Sequence, residues 1–258
     1  MLDFGLIKKS LSGLFSQERI FLYRLTDSTN TRALEYARSG GGCPAVFIAE
    51  EQTGGRGRRG RSFVSNPESG IFITFLLSPD NLCGIEGATA FAAVALREAL
   101  PEAVRRVSGI KWVNDIYSRL PDGEDRKLSG ILAEAVTENG KVSKIVIGMG
   151  INVYKKAISD EISNIATSIE EVTGERYPRE DIIASLCRSV LTPRDGELIL
   201  SRYREHSLTV GKRVKVIPHG EDSYRAVAVE ILDDYSLLVE KDGGERVRVF
   251  SGEVSTKF

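Results

Sequence analysis

EEQTGGRGRRGRSF, residues 50–63, sets four arginines (Arg56, Arg58, Arg59, Arg61) among four glycines (Gly54, Gly55, Gly57, Gly60) within eight positions, with no acid between them. Glycine lets the backbone approach a ligand closely and adopt positive φ. Arginine offers planar, permanently charged donors that match phosphate and carboxylate. Such a run can be a solvated basic face, a linker, a nucleic-acid patch or an anion-binding loop. Two predicted strands flank it, AVFIA (Ala45–Ala49) and IFITFLLS (Ile71–Ser78), which places it inside a domain and favours the anion-binding loop.

The rest of the chain gives the loop little competition for that role. Net charge is −1 over 258 residues, and the pI is near 6.2, so a general nucleic-acid or anionic-membrane surface is not expected. Cys43, Cys83 and Cys187 are odd in number and far apart, with no metal-ligand spacing. They read as reduced thiols of a cytoplasmic protein. The N-terminal stretch MLDFGLIKKSLSGLF scatters its apolar residues and lacks a signal-peptide core. No stretch reaches the ~20 apolar residues of a membrane span.

Outward from the loop, Thr31–Arg38 has helical spacing behind the capping candidates Asp27, Ser28, Thr29 and Asn30. Gly87–Leu100 reads as an alanine-rich helix ended by Pro101. Ile110–Tyr117, Lys127–Val136 and Lys144–Val153 read as strands, with turns at Pro121–Asp125 and Glu138–Gly140. Helices are expected at about Glu161–Val172, Arg179–Leu191 and Glu197–Glu205. From Leu208 the pattern changes to period two, in Gly211–Ile217, Tyr224–Ile231, Ser236–Glu240 and Arg246–Phe250. Turns at Pro218-His219-Gly220, Asp233-Asp234 and Asp242-Gly243-Gly244 separate these runs. The expected architecture is therefore α+β: a mixed sheet flanked by helices in residues 1–207, and a small β-barrel in 208–258.

Four further segments carry polar groups in unexpected places. KWVNDIY (Lys111–Tyr117) puts Asn114 and Asp115 in an apolar strand. They mark either a turn or a buried pair satisfied by a ligand, since unpaired burial costs ~1–3 kcal/mol each. RKLSGILAE (Arg126–Glu134) has Lys127 at a strand mouth and Gly130 within it, which implies close backbone approach. IVIGMGINV (Ile145–Val153) has Gly148 and Gly150 in a strong β run followed by Asn152. No helix opens after it, which excludes a dinucleotide fingerprint. YRLTDSTN (Tyr23–Asn30) offers hydroxyls either to the helix end or to a neutral polar ligand.

In order, Asp27–Asn30, Gly55–Arg61, Lys111–Asp115, Lys127–Glu134 and Gly148–Asn152 resemble the D-S-T-N, G-R-G-R-x-G-R, K-W-P-N-D, K-L-x-G-I-L-x-E and G-x-G-I-N hallmarks of the biotin protein ligase family. The resemblance runs from about residue 20 to 258, with Val113 where the family has proline and Phe63 where tryptophan is usual. It implies the biotin/lipoate ligase fold, related to class II synthetases, with an SH3-like C-terminal barrel. It also implies ATP-dependent activation of biotin to biotinyl-5′-AMP, then transfer to a lysine of a biotin carboxyl carrier protein. On that resemblance Arg56, Arg58, Lys111, Asp115 and Lys127 are the catalytic candidates. Ser28, Thr29, Asn30, Gln52, Arg56, Gly57, Arg58, Lys127 and Gly130 would bind biotin. Arg58, Arg61, Trp112, Asn114 and Asn152 would bind ATP, and Asp115 would hold Mg²⁺. The arginine loop is expected to be mobile until it covers the adenylate.

Two histidines, His206 and His219, lie outside all five motifs, so a histidine base is not expected. The rival readings are a lipoate or octanoate ligase or transferase, a biotin-responsive regulator, and a binder without catalysis. About 22 residues precede the ligase-like start, too few for a helix-turn-helix, so specific DNA binding is not expected. A homodimer through sheet edges is a family-level expectation.

Overall fold

A computed structural model describes residues 1–80, 82, 84–218, 222–250 and 252–255. Cys83, and His219 and Gly220 of the expected Pro218-His219-Gly220 turn, lie outside the described residues. The main sheet has seven strands in the order β1-β2-β3-β7-β6-β5-β4. These are β1 (Ile20–Thr26), β2 (Ala45–Gln52), β3 (Gly70–Leu77), β4 (Ser108–Lys111), β5 (Asp115–Arg119), β6 (Asp125–Glu138) and β7 (Lys141–Asn152). β1 and β2 run parallel through helix α2 (Thr29–Arg38), and the other neighbours are antiparallel. Hairpins fold β4 to β7 as a meander. At the β6–β7 turn Asn139 and Gly140 have φ of 49° and 76°, the paired positive values a two-residue hairpin requires.

Helix α1 (Phe4–Leu11) precedes β1, and helices α3 (Gly84–Ala99) and α4 (Glu102–Arg105) link β3 to β4. Three more follow β7: α5 (Ile169–Thr173), α6 (Arg179–Leu191) and α7 (Gly196–Glu205). The alternation along β7 decides the layers. Ile145, Ile147, Met149 and Ile151 pack toward α3 and α6 in the larger core. Val146 joins Ala33, Leu34 and Ala37 of α2 in a smaller core on the opposite face. A second, five-stranded antiparallel sheet follows in the order β11-β10-β9-β8-β12. Its strands are β8 (Arg213–Ile217), β9 (Tyr224–Ile231), β10 (Leu237–Lys241), β11 (Arg246–Val249) and β12 (Glu253–Ser255). This is the SH3-like unit. No helix among the described residues is long and apolar enough to cross a membrane.

Three sequence expectations change. The single strand Ile110–Tyr117 is a hairpin, β4 and β5, whose turn is Trp112–Asn114; the peptide bond between Trp112 and Val113 is cis. Apolar Trp112 and Val113 looked like strand residues because their burial comes from elsewhere. The Trp112 N–H donates to Thr209 Oγ1 at 2.9 Å and its indole Nε1 to the Tyr235 carbonyl at 3.0 Å. The helix expected at Glu161–Val172 is a short 3-10 turn (Asp160–Ile162), a further turn at 163–165, a bridge at Ala166 to Lys127, and then α5. Pairing wins over propensity there: Lys127 N–H donates to the Ile165 carbonyl and Thr167 N–H to the Lys127 carbonyl, each at 2.9 Å. Finally, no Ser28 side chain caps α2. Asp27 accepts the Ser28 N–H, and the Thr29 N–H goes to Gln52 Oε1.

A buried ion pair fixes the N-terminal segment against the end of β2. Glu50 and Arg179 are 2% and 3% exposed and 2.9 Å apart. Glu50 also accepts the N–H groups of Leu2 and Glu68.

Candidate active site

One end of the main sheet carries every motif. Register puts Gly70 at the start of β3 opposite Asn152 at the end of β7, Gly150 opposite Gly130, and Gly130 opposite Asp115. The loop joins the end of β2 to the start of β3, and α2 begins just past the end of β1. A cavity of about 540 Å³ opens here. Its floor is low because the residues facing it along β6 and β7 include Gly130, Gly148 and Gly150. A Cβ on Gly148 would lie 1.8 Å from Asn30 Oδ1, and one on Gly150 would lie 2.5 Å from the Phe63 ring. These glycines thus make room for protein side chains at the rim of the cavity. Gly130 makes room for Lys127 and Asp115, whose Nζ and Oδ1 would stand 3.1 and 3.6 Å from its Cβ.

The cavity has a neutral end and a charged end. At the neutral end Ser28, Thr29 and Asn30 are buried. Gln52 Oε1 accepts the Thr29 hydroxyl at 3.1 Å, and Gln52 Nε2 donates to Ser65 Oγ at 3.0 Å. Thr74 Oγ1 donates to Asn30 Oδ1 at 2.7 Å. Asp27, in the same motif, stays outside the cavity. Bidentate pairing with Arg32 holds its carboxyl down to about 2.

At the charged end Lys127 Nζ is 2.8 Å from Asp115 Oδ1. Arg58 Nη1 donates to Asn114 Oδ1 at 3.0 Å, and Asn114 Nδ2 donates to the Ile131 carbonyl at 2.7 Å. The turn reading of Asn114 therefore holds; its side chain is part-buried, and Arg58 and the Ile131 carbonyl, not a ligand, satisfy it. Lys111 Nζ donates to Tyr117 Oη at 3.2 Å. Burial pulls the Lys111 ammonium below its ordinary range against the opposing pull of Asp115. Burial likewise lowers Arg58, again opposed by Asp115, and it raises the Tyr117 phenol, with Asp115 adding to the rise.

The loop itself is folded. Gly57 N–H donates to the Arg61 carbonyl at 2.7 Å and Phe63 N–H to the Gly55 carbonyl at 2.9 Å. Arg59 and Gly60 turn it with φ of 56° and 71°, where glycine is at ease and arginine is strained. Phe63 meets Phe72 edge-on at 6.3 Å. Arg56 pairs with Glu134 at 2.9 Å and Arg61 with Glu253 of β12 at 2.6 Å. Arg59 Nη2 donates to the Ile217 carbonyl at 3.2 Å. The second sheet thus walls one side of the cavity and holds two arginines of the loop.

All the residues the sequence nominated line this cavity: Ser28, Thr29, Asn30, Gln52, Arg56, Gly57, Arg58, Arg61, Lys111, Trp112, Asn114, Asp115, Lys127, Gly130 and Asn152. Two of them are committed elsewhere as well. Trp112 is largely buried against the second sheet, and Asn152 Nδ2 donates to the Thr167 carbonyl at 3.1 Å. Tyr117, Ile165 and Glu253 also line the cavity and were not nominated. Ile165 and Glu253 meet the motifs only through partners far off in the chain, whereas Tyr117 bonds Lys111 six positions away, a meeting that the β4–β5 hairpin could have suggested. No cluster of three or more His, Cys, Asp or Glu suited to a metal occurs among the described residues. Of the carboxylates lining the cavity, Asp125 is paired with Arg119 and Lys212 and Glu253 with Arg61; Asp115, beside Lys127, fits a cation that arrives on nucleotide phosphates and keeps most of its waters. It does not make a protein-built cage.

Comparison with known proteins agrees with this geometry. Residues 22–152 match the Biotin/lipoate A/B protein ligase family. The chain is 34% identical to the bifunctional ligase/repressor BirA of Bacillus subtilis, over 92% of this chain and 74% of that one. It is 33% identical to the biotin–[acetyl-CoA-carboxylase] ligase of Mycobacterium tuberculosis, over 89% and 85%. Its fold is similar to the biotin protein ligase of Aquifex aeolicus in complex with biotin and ATP, with a TM-score of 0.75 and 26% identity over 92% and 98%. A mixed sheet with its glycine-arginine loop, a cavity lined by hydroxyls and amides at one end and by cations at the other, and relatives of this kind lead to one assignment: the chain belongs to the biotin/lipoate A/B protein ligase family, among its biotin protein ligases.

Proposed function

We propose that this ATP-dependent ligase seats biotin and ATP end to end in the cavity and joins them there. One observation carries the reading: Lys127 pairs with Asp115, whose charge also acts on Arg58 and Lys111, while at the Ser28–Asn30 end the polar side chains are buried hydroxyls and amides, and the nearby Glu134 carboxylate is neutralised by Arg56. Two anions must meet, so cations are needed where they meet, and a neutral ureido ring needs hydroxyl and amide partners at the other end.

Biotin lies with its ring against Ser28, Thr29, Asn30 and Gln52, and its carboxylate reaches Arg58 and Lys127. A carboxylate oxygen attacks the α-phosphorus of ATP, the bond from that phosphorus to the β-phosphate bridge breaks, and pyrophosphate leaves. Lys127 and Arg58 sit where negative charge builds on the phosphoryl oxygens, and Lys111 and Arg61 lie toward the departing phosphates. Asn114 and Asn152 orient the nucleotide. Asp115 would hold Mg²⁺, directly or through water, and the ion would supply charge neutralisation to the triphosphate. In the second step a neutral lysine amine of a biotin carboxyl carrier protein attacks the acyl carbon. The amide C–N bond forms, AMP leaves with the acyl C–O electrons, and the amine gives up a proton. The loop covers the anhydride between the two steps and keeps water away.

The finer assignments are proposals of the same kind. The protein works in the cytoplasm. Residues 1–207 form the catalytic unit and 208–258 the barrel. A homodimer through a sheet edge uses β1, because β4 already exchanges hydrogen bonds with the His206–Leu208 segment. The discriminating experiment supplies ATP and Mg²⁺ with biotin, lipoate or octanoate, together with a biotin-domain or a lipoyl-domain acceptor. Amide formation on the biotin domain with biotin is expected, and a preference for lipoate or octanoate would overturn the substrate.

A further inference from the structure

We infer that Glu134 is a positioning residue that ties the biotin end of the cavity to the arginine loop, so that the loop stays shut over the reactive intermediate. The inference rests on the function proposed above and adds a residue to it. Glu134 lies on β6 and faces the cavity side of the sheet. One oxygen, Oε2, accepts Asn30 Nδ2 at 2.9 Å, and the other, Oε1, accepts Arg56 Nη2 at 2.9 Å. Asn30 in turn accepts from Thr74 of β3 at 2.7 Å. The path Thr74–Asn30–Glu134–Arg56 runs without a gap from the sheet floor through the ring-binding end to the loop.

The other loop arginines are anchored differently. Arg58 reaches the β4–β5 turn, Arg59 the Ile217 carbonyl, and Arg61 Glu253. Of the four loop arginines, Arg56 is thus the one tied to the biotin end, and its charge is matched by a carboxylate. A glutamine at 134 keeps the size but offers one oxygen where two donors must be met, and its amide would face one of them. The expected consequence is a loop that opens more often, not a weaker set of cations.

The test uses Glu134→Gln and Arg56→Met, singly and together, in the full-length protein with ATP, Mg²⁺ and biotin and no acceptor. Two rates are followed: single-turnover pyrophosphate release, and escape of biotinyl-adenylate, read as labelling of a bystander protein's lysines. The side chains are 44% and 22% accessible, which screens the pair, so escape should rise at least about threefold in Glu134→Gln. That factor should exceed any fall in the adenylation rate. The double variant should be no leakier than the worse single one, since both remove the same tie. Escape equal to wild type overturns the inference, and so do additive effects or a loss confined to adenylation. Should Glu134→Gln fail to fold, Arg56→Met decides alone: normal retention there overturns it. A wild-type protein that makes no adenylate would instead overturn the function proposed above.

Discussion

Replacing Gly148 by alanine tests how tightly the neutral end of the cavity is built. The new Cβ would stand 1.8 Å from Asn30 Oδ1 and 2.7 Å from its Cγ. Asn30 would have to retreat by more than an ångström. It is 5% exposed and is held by Thr74 at 2.7 Å and by Glu134 at 2.9 Å. A retreat breaks both bonds. A neutral bond contributes about 1 kcal/mol and one to a charged group about 1.5–3, so the loss is about 3 kcal/mol. For a chain of this size that lowers the melting temperature by about 6–12 °C. Because Asn30 is shifted within the ring-binding end, biotin affinity should fall at least about tenfold, equivalent to 1.4 kcal/mol. Thermal unfolding and calorimetric titration with biotin read the two effects. Gly150→Ala is the control, since its Cβ meets the ring of Phe63, a part-exposed loop residue that can swing aside. A Gly148→Ala protein that melts and binds biotin like wild type would refute the fixed placement of Asn30.

Four further outcomes are expected. Arg179→Leu strands the buried Glu50 carboxylate and should cost about 3–5 kcal/mol in denaturant unfolding. Burial alone would raise the Glu50 carboxyl, but Arg179 and the Leu2 and Glu68 N–H groups outweigh it and hold it below the usual range. Its stabilisation is therefore present above the unfolded value of about 4.3 and lost as pH falls through the lower folded value. The acid limb of stability should be shallower in Glu50→Gln. Lys111 is lowered by burial, so adenylation should decline on the alkaline side before a free lysine would titrate at about 10.4, and Lys111→Arg should shift that limb upward. An unchanged limb would separate Lys111 from the chemistry. Lys127→Ala should slow pyrophosphate release by at least about a hundredfold, and near-normal release would remove Lys127 from the reaction.

Much of this molecule is legible in its residues. The period-two runs after Leu208 show which residues point inward, and the meander follows from turn chemistry such as Asn139-Gly140. The arginine loop and the displaced glycines mark the site because they break the local rules for strands. What stayed hidden depends on partners distant in sequence. Trp112 looks like a strand residue until its indole meets Tyr235, 123 residues on. Residues 165–167 pair with Lys127 instead of completing a helix. The short strand β12 and helix α1 are held by tertiary contacts, with Ile7 and Leu11 of α1 buried. Glu134 joins residues 78 and 104 positions away, a meeting that spacing does not reveal.

The central claim is that this cavity forms an acyl-adenylate without help from any carrier. Purified protein should be mixed with biotin, ATP and Mg²⁺ alone, and the bound small molecule identified by native mass spectrometry alongside released pyrophosphate. Biotinyl-5′-AMP retained in equal amount to pyrophosphate released is the predicted result. Pyrophosphate-free protein carrying only biotin, or no ligand at all, would contradict it.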